Sequence, residues 1–421
     1  MNDTILNKKY ALVFLIIYFL GFYFSKDFGI TWDEDWHRLN GQDNLAYIAK
    51  TLNLNKILNL PESVKDNEKV FYGYGVIFDS VCGIIEHLLN LQDKASIFIM
   101  RHRVNFAFYM IGIYLFFLFL KSILKSANMA FICTMFLLLH PRLLAHGVFN
   151  SKDSIAQAIL SCAFLPIFLF FRKNSLKYII IAGIVCGLGV ATRVPLLYLP
   201  SIFLLLIFSQ NYTLNKKLSN SVIQFSCFVL SLIASIYLFW PSLWANPIGS
   251  IIHTFDRMSH FPWGGINYYM GNFIKANQIP WHYIPVWILI TTPITFLIFF
   301  IIGIIQTLFK LYRNQAKYYW FQIFMIAGFV CPTVIIILIK STLYDGWRHV
   351  FFIYPFLVYF MAVGFSASTN WIETKMMINR FRIIIILTAI TFVPPVFSII
   401  KIHPHQQVYF NYLAGKDPME D

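Results

Sequence analysis

The sequence is dominated by eleven apolar segments that are long enough, or nearly so, to cross a bilayer as helices. These segments are residues 10–25, 104–120, 127–140, 155–171, 178–192, 195–208, 221–239, 284–307, 320–339, 350–367 and 383–400. Only 12% of the residues are charged, against about a quarter in soluble proteins. We therefore predict an all-α polytopic membrane protein with about eleven transmembrane helices.

The basic residues predict how these helices are oriented. With the N-terminus in the cytoplasm, the inner loops hold 15 basic residues against two acids, whereas 18 basic residues face 17 acids outside. This asymmetry is the positive-inside pattern, so the net charge of +14 does not indicate nucleic-acid binding. We expect a multi-pass protein of the plasma (inner) membrane, with a cytoplasmic N-terminus that resembles a signal anchor and an extracytoplasmic C-terminus.

Three sizeable segments outside the predicted spans fall on the outer side: residues 26–103, residues 241–283 and the tail 401–421. We predict one transmembrane domain over residues 1–400, followed by that short tail. In the first loop, apolar residues of segment 70–91 recur at helical spacing, which predicts an amphipathic helix on the membrane surface. The six cysteines form no disulfide or metal-binding motif.

The unusual polar clusters of the chain all fall on this outer side. They are TWDEDWH (31–37), HPRLLAHGVFNSKD (140–153), ATR (191–193), WPSLWANP (240–247), HFPWGG (260–265), YDGWRH (344–349) and HPHQQVYFN (403–411). Scattered structural charges would occur on both faces. Their convergence on one face predicts a single site there.

The acidic stretch after the first apolar segment has two interpretations. A carboxylate near a low-dielectric boundary can act as a general base, and in a helix Asp33 and His37 lie on one face while Glu34 is rotated away. Alternatively, the acids are a solvated helix start, because acids in the first turn favour the helix dipole. The residues alone favour this second interpretation, and they assign no role to Asp35.

The second external cluster is equally ambiguous. His146 and Asp153 are seven residues apart and could share a helical face that binds substrate or a divalent metal, although the spacing matches no closed metal motif. With Lys152, they could instead lie beside lipid headgroups. Pro141 should end the third apolar segment and turn the chain along the membrane surface.

The arginines offer anion binding. Arg348 and His349, helped by Arg193, could hold a diphosphate, or Arg348 could form a structural pair with Asp345. Arg193 is flanked by apolar runs, where a charge is costly. The tryptophans of residues 240–287 could stack on sugar rings or lipid, but they more often form an interfacial belt.

In combination, these motifs resemble the membrane-embedded GT-C glycosyltransferases, specifically the family 39 group of protein O-mannosyltransferases and its bacterial relatives, including aminoarabinose transferases. The resemblance rests on the TWDE motif, the long first external loop, the HP…H…KD loop, GLGVATR and YDGWRHVFFIYP, and it covers nearly the whole chain. YDGWRH together with HPHQQVYFN looks like a bacterial branch of that group. Many relatives continue into a larger external C-terminal domain, a departure that bears on acceptor recognition.

The resemblance implies a GT-C fold with surface helices in the first external loop. It also implies transfer, with inversion, of a sugar from a polyprenyl-phosphate donor to an extracytoplasmic protein, lipid or glycan. Asp33 and Glu34 match the catalytic acids of the family, with Asp33 as the base, and Asp153 matches the acid of the second external loop. Arg348 and Arg193 would bind the lipid phosphate. The remaining predicted substrate-binding residues are His37, Tyr344, His349, His146 and Lys152.

Metal dependence varies across these families, so a divalent metal is compatible with the site and no cofactor is firmly predicted. Two other functions stay open. A lipid or polysaccharide transporter or flippase would need ionisable residues within its spans and commonly repeated halves, and neither is evident. A non-catalytic envelope-assembly protein is the third hypothesis. The sequence does not identify the sugar, the acceptor or the oligomeric state.

Overall fold

The computed structural model describes residues 3–54, 75–259 and 263–415 of the chain. In these residues there are sixteen α-helices, six short 3-10 helices and one β-hairpin. The α-helices are α1 (Asp3–Phe24), α2 (Glu34–Thr51), α3 (Ile77–Leu88), α4 (Lys94–Leu124), α5 (Ala127–Leu138), α6 (Pro141–Phe149), α7 (Asp153–Lys173), α8 (Leu176–Thr192), α9 (Tyr198–Thr213), α10 (Leu218–Phe239), α11 (Pro247–Ser259), α12 (Tyr283–Thr291), α13 (Ile294–Tyr312), α14 (Tyr319–Leu338), α15 (Tyr354–Met376) and α16 (Arg380–Lys401).

The short elements connect these helices at their ends. The 3-10 helices are Ser25–Asp27, Val194–Leu197, Pro241–Leu243, Arg348–Ile353, Gln406–Val408 and Tyr412–Ala414. Strands β1 (Ile266–Tyr269) and β2 (Asn272–Lys275) form an antiparallel hairpin in which Tyr269 pairs with Asn272.

The predicted all-α membrane fold is confirmed, but the count of eleven spans is not. In the described part of the chain, nine helical segments, built on α1, α4, α7, α9, α10, α13, α14, α15 and α16, are long and apolar enough to cross a bilayer. Helices α5 and α6 would form a tenth span, bent by 73°, and α8 is a shorter apolar helix. Pro141 begins α6, so the predicted break after the third apolar segment is confirmed.

The predicted span 284–307 is divided into α12 and α13. Thr292, which precedes Pro293, has an extended backbone (φ −93°, ψ 135°), because a proline ring disfavours the helical conformation in the residue before it. The break lies against the chain's C-terminal segment: Asn411 donates side-chain hydrogen bonds to the carbonyl oxygens of Leu289 and Thr292, at 2.7 and 2.6 Å.

Helix α4 begins ten residues before the predicted span at residue 104. The side chain of Asp93 accepts a hydrogen bond from the backbone N–H of Ser96 at 3.1 Å and caps the helix. The added turns carry Arg101 and His102, both buried. Arg101 and His102, which lower the hydropathy of this extension, therefore point into the protein.

The predicted amphipathic helix is present as α3, with residues 70–74 outside the described residues. Asp79 and Glu86 of this helix face the protein interior rather than solvent. Asp79 pairs with Arg101 and Lys152, and Glu86 pairs with Arg38 of α2. Through these contacts the acids of α3 tie α2, α4 and α7 together, so this face of the helix packs against protein.

Aromatic side chains fill the core between the long helices. Phe119 packs on Phe164 and Phe321, with ring centroids 5.2 and 5.7 Å apart. Such tilted ring pairs add about 0.5–1.5 kcal/mol beyond their area burial. Helices α13 and α15 approach more closely than side chains allow, because a Cβ atom on Gly303 would lie 1.7 Å from the carbonyl oxygen of Phe360. The tight packing of the long helices thus fixes the positions of their ends, where the polar clusters of the chain lie.

Candidate active site

A polar cavity of about 460 Å³ opens where the start of α2, the end of α6, the 344–349 segment and the C-terminal segment meet. Its volume lies within the range of about 300–1,000 Å³ that is typical of small-molecule sites. Five of the predicted site residues line it: Asp33, Glu34, His37, His146 and Arg348. Trp32, 98% exposed, also lines it.

Asp33 lies immediately before α2, and its carboxylate is paired with an arginine far away in sequence. Arg348 Nη1 donates to Asp33 Oδ2 at 2.6 Å, and Arg348 Nη2 lies 3.0 Å from Asp345. The guanidinium is 14% exposed, whereas the Asp33 side chain keeps 37% of its surface. Asp33 therefore presents an oriented carboxylate to the cavity, and the predicted Asp345–Arg348 pair is present together with it.

Asp153 and Arg193 form a second, more buried ion pair, which joins the start of α7 to the end of α8. Asp153 is the first residue of α7, and Arg193 follows α8 directly. Arg193 Nη2 donates to Asp153 Oδ1. Asp153 also interacts electrostatically with Arg348. Asp33, Arg348, Asp153 and Arg193 thus form one charged cluster, as the convergence of their motifs predicts.

Glu34 has a different environment from its neighbour Asp33. It is 4% exposed, and Oε1 lies 2.8 Å from Nε2 of His102. Its other oxygen accepts hydrogen bonds from the backbone N–H and the hydroxyl of Thr31, at 2.7 and 2.9 Å. These partners occupy the carboxylate, so its position favours a role in holding the 31–34 turn against α4 over a direct role in proton transfer.

Asp35 and His37 complete the acidic motif. Asp35 forms an exposed ion pair with Lys94 at 2.6 Å, which joins α2 to the start of α4. The Nδ1 atom of His37 is buried and has no hydrogen-bond partner among the described residues. Burial, followed by the charge of Lys152, lowers the pKa of His37 to about 4. His37 is therefore a neutral imidazole at pH 7, with a polar atom available to a ligand.

Lys152 turns away from the cavity. Its ammonium donates to Asp79 Oδ2 at 2.8 Å, and the residue is 2% exposed. Burial alone would raise the pKa of Asp79, but Lys152 and Arg101 outweigh it and hold that pKa below its ordinary value. The predicted substrate-binding role of Lys152 is not favoured by this placement, which makes Lys152 a counter-ion for Asp79.

Asn150 connects these groups and was not predicted as a site residue. Its side-chain amide donates to Asp153 Oδ2 at 3.0 Å and lies 3.1 Å from Nδ1 of His146. Its Oδ1 accepts from the backbone N–H groups of Lys152 and Asp153, at 3.2 and 2.8 Å. Asn150 thereby holds the turn that leads into α7 and orients Asp153. Its position within the 140–153 motif was the available signal.

A second, apolar cavity of about 440 Å³ lies on the other side of the 344–349 segment. Its walls come mainly from α9, α14 and the 3-10 helix before α15, with apolar side chains such as Pro332, Ile335 and Phe352. The predicted substrate-binding residues Arg193, Tyr344 and His349 line it. An apolar cavity with two basic side chains is suited to an anionic lipid.

The 344–349 segment is the wall between the two cavities. Tyr344 and His349 line the apolar cavity, whereas Asp345 and Arg348 line the polar cavity. The reversal takes place at Asp345 and Gly346, which have positive φ values of 54° and 71°. A Cβ atom at Gly346 would also lie 3.3 Å from Trp287, so glycine satisfies both the backbone and the space there.

The C-terminal segment 403–411 closes part of the polar cavity. Arg142 Nε donates to the carbonyl oxygen of Tyr409 at 2.8 Å, and its guanidinium carbon lies 4.5 Å from the ring centroid of Phe410. Trp287 contacts the same guanidinium from 5.2 Å. Arg142 belongs to the 140–153 motif, and no role was predicted for it. In the structure it anchors this segment.

The tryptophans of residues 240–287 have different environments, so neither a stacking role nor an interfacial belt describes all of them. Trp263 stacks on Tyr344 with ring centroids 4.2 Å apart, and Trp287 lines the polar cavity. Trp240 is buried in the protein, whereas Trp281 is 69% exposed. Residues 260–262 of this loop lie outside the described residues.

The described residues offer no evident metal site: nowhere among them do three His, Cys, Asp or Glu side chains come together in a way that could hold an ion. The charges of the cluster are instead arranged as carboxylate–guanidinium pairs. Within the described chain, the cations of these pairs are the guanidinium groups of Arg193 and Arg348.

Comparisons with known proteins give one partial match to a family and a match in fold. Residues 85–240 match the family model described as dolichyl-phosphate-mannose-protein mannosyltransferase. No curated protein matches the sequence significantly. Among solved structures, ArnT from Cupriavidus metallidurans, crystallised with undecaprenyl phosphate bound, superimposes with a TM-score of 0.55 at 14% sequence identity. The match covers 85% of this chain and 60% of the ArnT chain. The chain is an integral, multi-pass membrane protein with the GT-C fold of ArnT, as its motifs predicted.

Proposed function

We propose that the protein is a membrane glycosyltransferase that moves a sugar from a polyprenyl-phosphate donor to an acceptor hydroxyl or amine outside the cytoplasm. The observation that carries this proposal is the pairing of two cavities across one arginine-bearing segment. The apolar cavity, with Arg193 and His349 in its wall, fits a lipid phosphate. The polar cavity presents Asp33 beside Arg348 and fits a sugar and its acceptor. ArnT, which has the same fold, was crystallised with such a lipid phosphate.

In the proposed reaction, the acceptor oxygen or nitrogen attacks the anomeric carbon of the donor sugar. The bond from that carbon to the phosphate oxygen breaks, and the lipid phosphate leaves with the electron pair. Asp33 takes the proton of the acceptor, and its ion pair with Arg348 orients the carboxylate for this task. Arg348 and Arg193 stabilise the charge that develops on the departing phosphate. Attack opposite the leaving group inverts the anomeric configuration.

The proposed site faces outward. The charge asymmetry of the loops supports this orientation, because it favours an N-terminus in the cytoplasm with the 31–37, 140–153 and 344–349 segments outside. A polyprenyl-phosphate donor suits such a site, because its lipid carries the sugar across the membrane plane. The acceptor is left open as a protein, a lipid or a glycan.

The test compares Asp33→Asn with the wild-type protein. Mass spectrometry of envelope glycans, glycolipids and glycoproteins from cells with and without the gene first identifies the transferred sugar. Purified protein is then assayed with the matching polyprenyl-phosphate sugar. We expect Asp33→Asn to insert and fold normally and to lose about 10²–10⁴-fold in rate, the usual contribution of a general base. Full activity of the variant would remove Asp33 from this role, and lipid movement without sugar transfer would favour the flippase.

A further inference from the structure

A third cavity lies at the end of the molecule remote from the Asp33–Arg348 pair. It has a volume of about 850 Å³ and lies between the end of α4, the second half of α13, the start of α14 and the second half of α15. The opposite ends of these helices carry the candidate active site: Lys94 of α4 pairs with Asp35, and the 3-10 helix that holds Arg348 leads into α15. We call it the distal cavity.

The distal cavity has an apolar interior and a polar, basic rim. Ile298, Phe299, Val363 and Leu387 are among its apolar walls. Lys310, in the last turn of α13, and Lys317, in the α13–α14 loop, lie at its rim with several amides. The Oε1 atom of Gln322, another lining residue, is buried without a hydrogen-bond partner among the described residues.

The positive charge at this rim is not neutralised by the described protein. Lys317 is in contact with Lys125 at the end of α4, and this like charge lowers the pKa of Lys125. Arg172 adds to the same effect. Glu373, the acid nearest in sequence to the α15 part of the rim, is paired with Arg380 at 2.6 Å. Across the described chain, no acidic side chain lies within ion-pair distance of Lys125, Lys310 or Lys317.

We propose that the distal cavity binds an anionic phospholipid of the phosphatidylglycerol type, with its phosphate between Lys310 and Lys317 and an acyl chain in the apolar interior. A soluble anion would satisfy the lysines but leave the apolar walls uncovered, whereas a neutral lipid would cover the walls but leave the lysines unpaired. Only the combination of headgroup charge and chain matches both parts. This site is separate from the proposed transfer reaction and uses none of its residues.

The proposed site also has a mechanical position. It adjoins the close packing of α13 against α15 at Gly303, because Phe299 and Ile302 of α13 and Val363 of α15 line it. A lipid chain in the cavity fills the space that these two helices leave toward α4 and α14. Lipid binding should therefore raise the thermal stability of the whole helix bundle.

The test uses the purified full chain, freed of lipid in a neutral detergent, with dioleoyl-phosphatidylglycerol as the probe. Binding is followed by native mass spectrometry and by the shift in Tm, with dioleoyl-phosphatidylcholine as the neutral comparison. We expect phosphatidylglycerol to bind more tightly, and Lys310→Gln with Lys317→Gln to weaken its binding by roughly 10- to 30-fold, as the loss of two lysines near a charged headgroup implies. The exposed Lys317→Gln alone should give a smaller loss in the same direction.

Two further variants test separately how much the lysine charges and the apolar cavity contribute to lipid binding. Lys216→Gln with Lys217→Gln removes two lysines from the α9–α10 loop and should leave phosphatidylglycerol binding within about twofold, because surface charges away from the site contribute little. Ala367→Trp, which fills the cavity without a change of charge, should weaken binding of both lipids. Glycerol phosphate in excess should not displace the lipid.

Several outcomes would overturn the proposal. One is equal binding of phosphatidylglycerol and phosphatidylcholine. Another is an equal loss of phosphatidylglycerol binding in the two double-lysine variants, which would mean that Lys310 and Lys317 serve only to orient the protein in the membrane. Retention of full phosphatidylglycerol binding by Ala367→Trp would place the lipid elsewhere. Displacement by glycerol phosphate would assign the site to a soluble anion.

Discussion

Arg348 donates a hydrogen bond to Asp33 at 2.6 Å, although 315 residues separate the two in sequence. The contact joins the loop after the first span to the segment that precedes α15. It turns an acidic motif that resembles an ordinary helix start into one half of a charged site. The other half, Asp153 with Arg193, reaches the same place from α7 and α8.

Substitutions of the two adjacent acids should have different effects: one at Glu34 should lower stability, and one at Asp33 should lower activity. Glu34→Ala leaves His102 and Thr31 with unpaired buried groups and should cost about 1–3 kcal/mol of unfolding free energy. Asp33→Asn should leave Tm almost unchanged and lower the transfer rate about 10²–10⁴-fold. Thermal unfolding in detergent, alongside the transfer assay, checks both. Equal Tm values for wild type and Glu34→Ala would contradict the structural role of Glu34.

The buried charges around Asp79 should be far more important for folding than an exposed pair. Asp79→Ala leaves Arg101 and Lys152 buried without their counter-ion and should destabilise by about 3–5 kcal/mol. Asp35→Ala, which breaks the exposed pair with Lys94, should cost less than about 1 kcal/mol. Tm and expression level of the two variants measure the contrast, and similar losses in both would refute it.

His37 should make stability depend on pH. Its pKa is lowered to about 4 in the folded protein, against 6.5 for an exposed histidine. The neutral form is thus favoured by folding, and the stability associated with it is complete above pH 6.5 and is lost as the pH falls toward 4. We expect the Tm of His37→Gln to fall less than that of the wild type when the pH is lowered from 7 to 4.5. Parallel Tm profiles of the two proteins would exclude this linkage.

Arg193 should affect donor binding through its planar guanidinium. Arg193→Ala should raise KM for the polyprenyl-phosphate sugar, since a charge-assisted contact contributes about 1.5–3 kcal/mol. Arg193→Lys should recover only part of the loss, because an ammonium cannot bind a phosphate and Asp153 with the same two-pronged geometry. Steady-state kinetics over a range of donor concentrations provides the measurement. An unchanged KM in Arg193→Ala would assign the lipid phosphate to other residues.

The C-terminal segment should depend on Asn411. Asn411→Ala removes the two side-chain hydrogen bonds to Leu289 and Thr292 and should loosen the segment over the polar cavity. Hydrogen exchange of residues 403–411 should become faster while that of α15 stays the same. Asn370→Ala, at the opposite end of the molecule, serves as the control. Unaltered exchange in Asn411→Ala would show that the remaining contacts, such as that of Arg142 with Tyr409, hold the segment.

The sequence predicted the parts of the fold and site that depend on composition and on isolated charges. Apolar length is enough to identify most of the spans, and a charge such as Arg193 between apolar runs signals a buried role. Composition could not reveal the break at Thr292–Pro293, because the residues on both sides are equally apolar. Neither could it distinguish Asp33 from Glu34, since which of the two carboxylates is buried is decided by the turn at Thr31.

The Asp79–Arg101–Lys152 cluster was beyond sequence reasoning for a different reason. Arg101 and Lys152 lie next to predicted spans, and Asp79 lies in the predicted surface helix; charged residues at both kinds of position are ordinarily solvated. Only the tertiary arrangement of α3, α4 and α7 removes them from solvent and makes them partners. Their burial therefore follows from long-range packing, which local patterns do not encode.

The wall formed by residues 344–349 limits how the specificity of this protein can change. Because Tyr344 and His349 face one cavity while Asp345 and Arg348 face the other, a substitution in this segment alters both compartments together. Independent variation is left to surfaces that belong to one compartment alone: α9 and α14 around the apolar cavity, and residues 266–268 with 407–410 around the polar cavity. Under the proposed function, residues 266–268 and 407–410 are the positions at which a library aimed at new acceptors should begin.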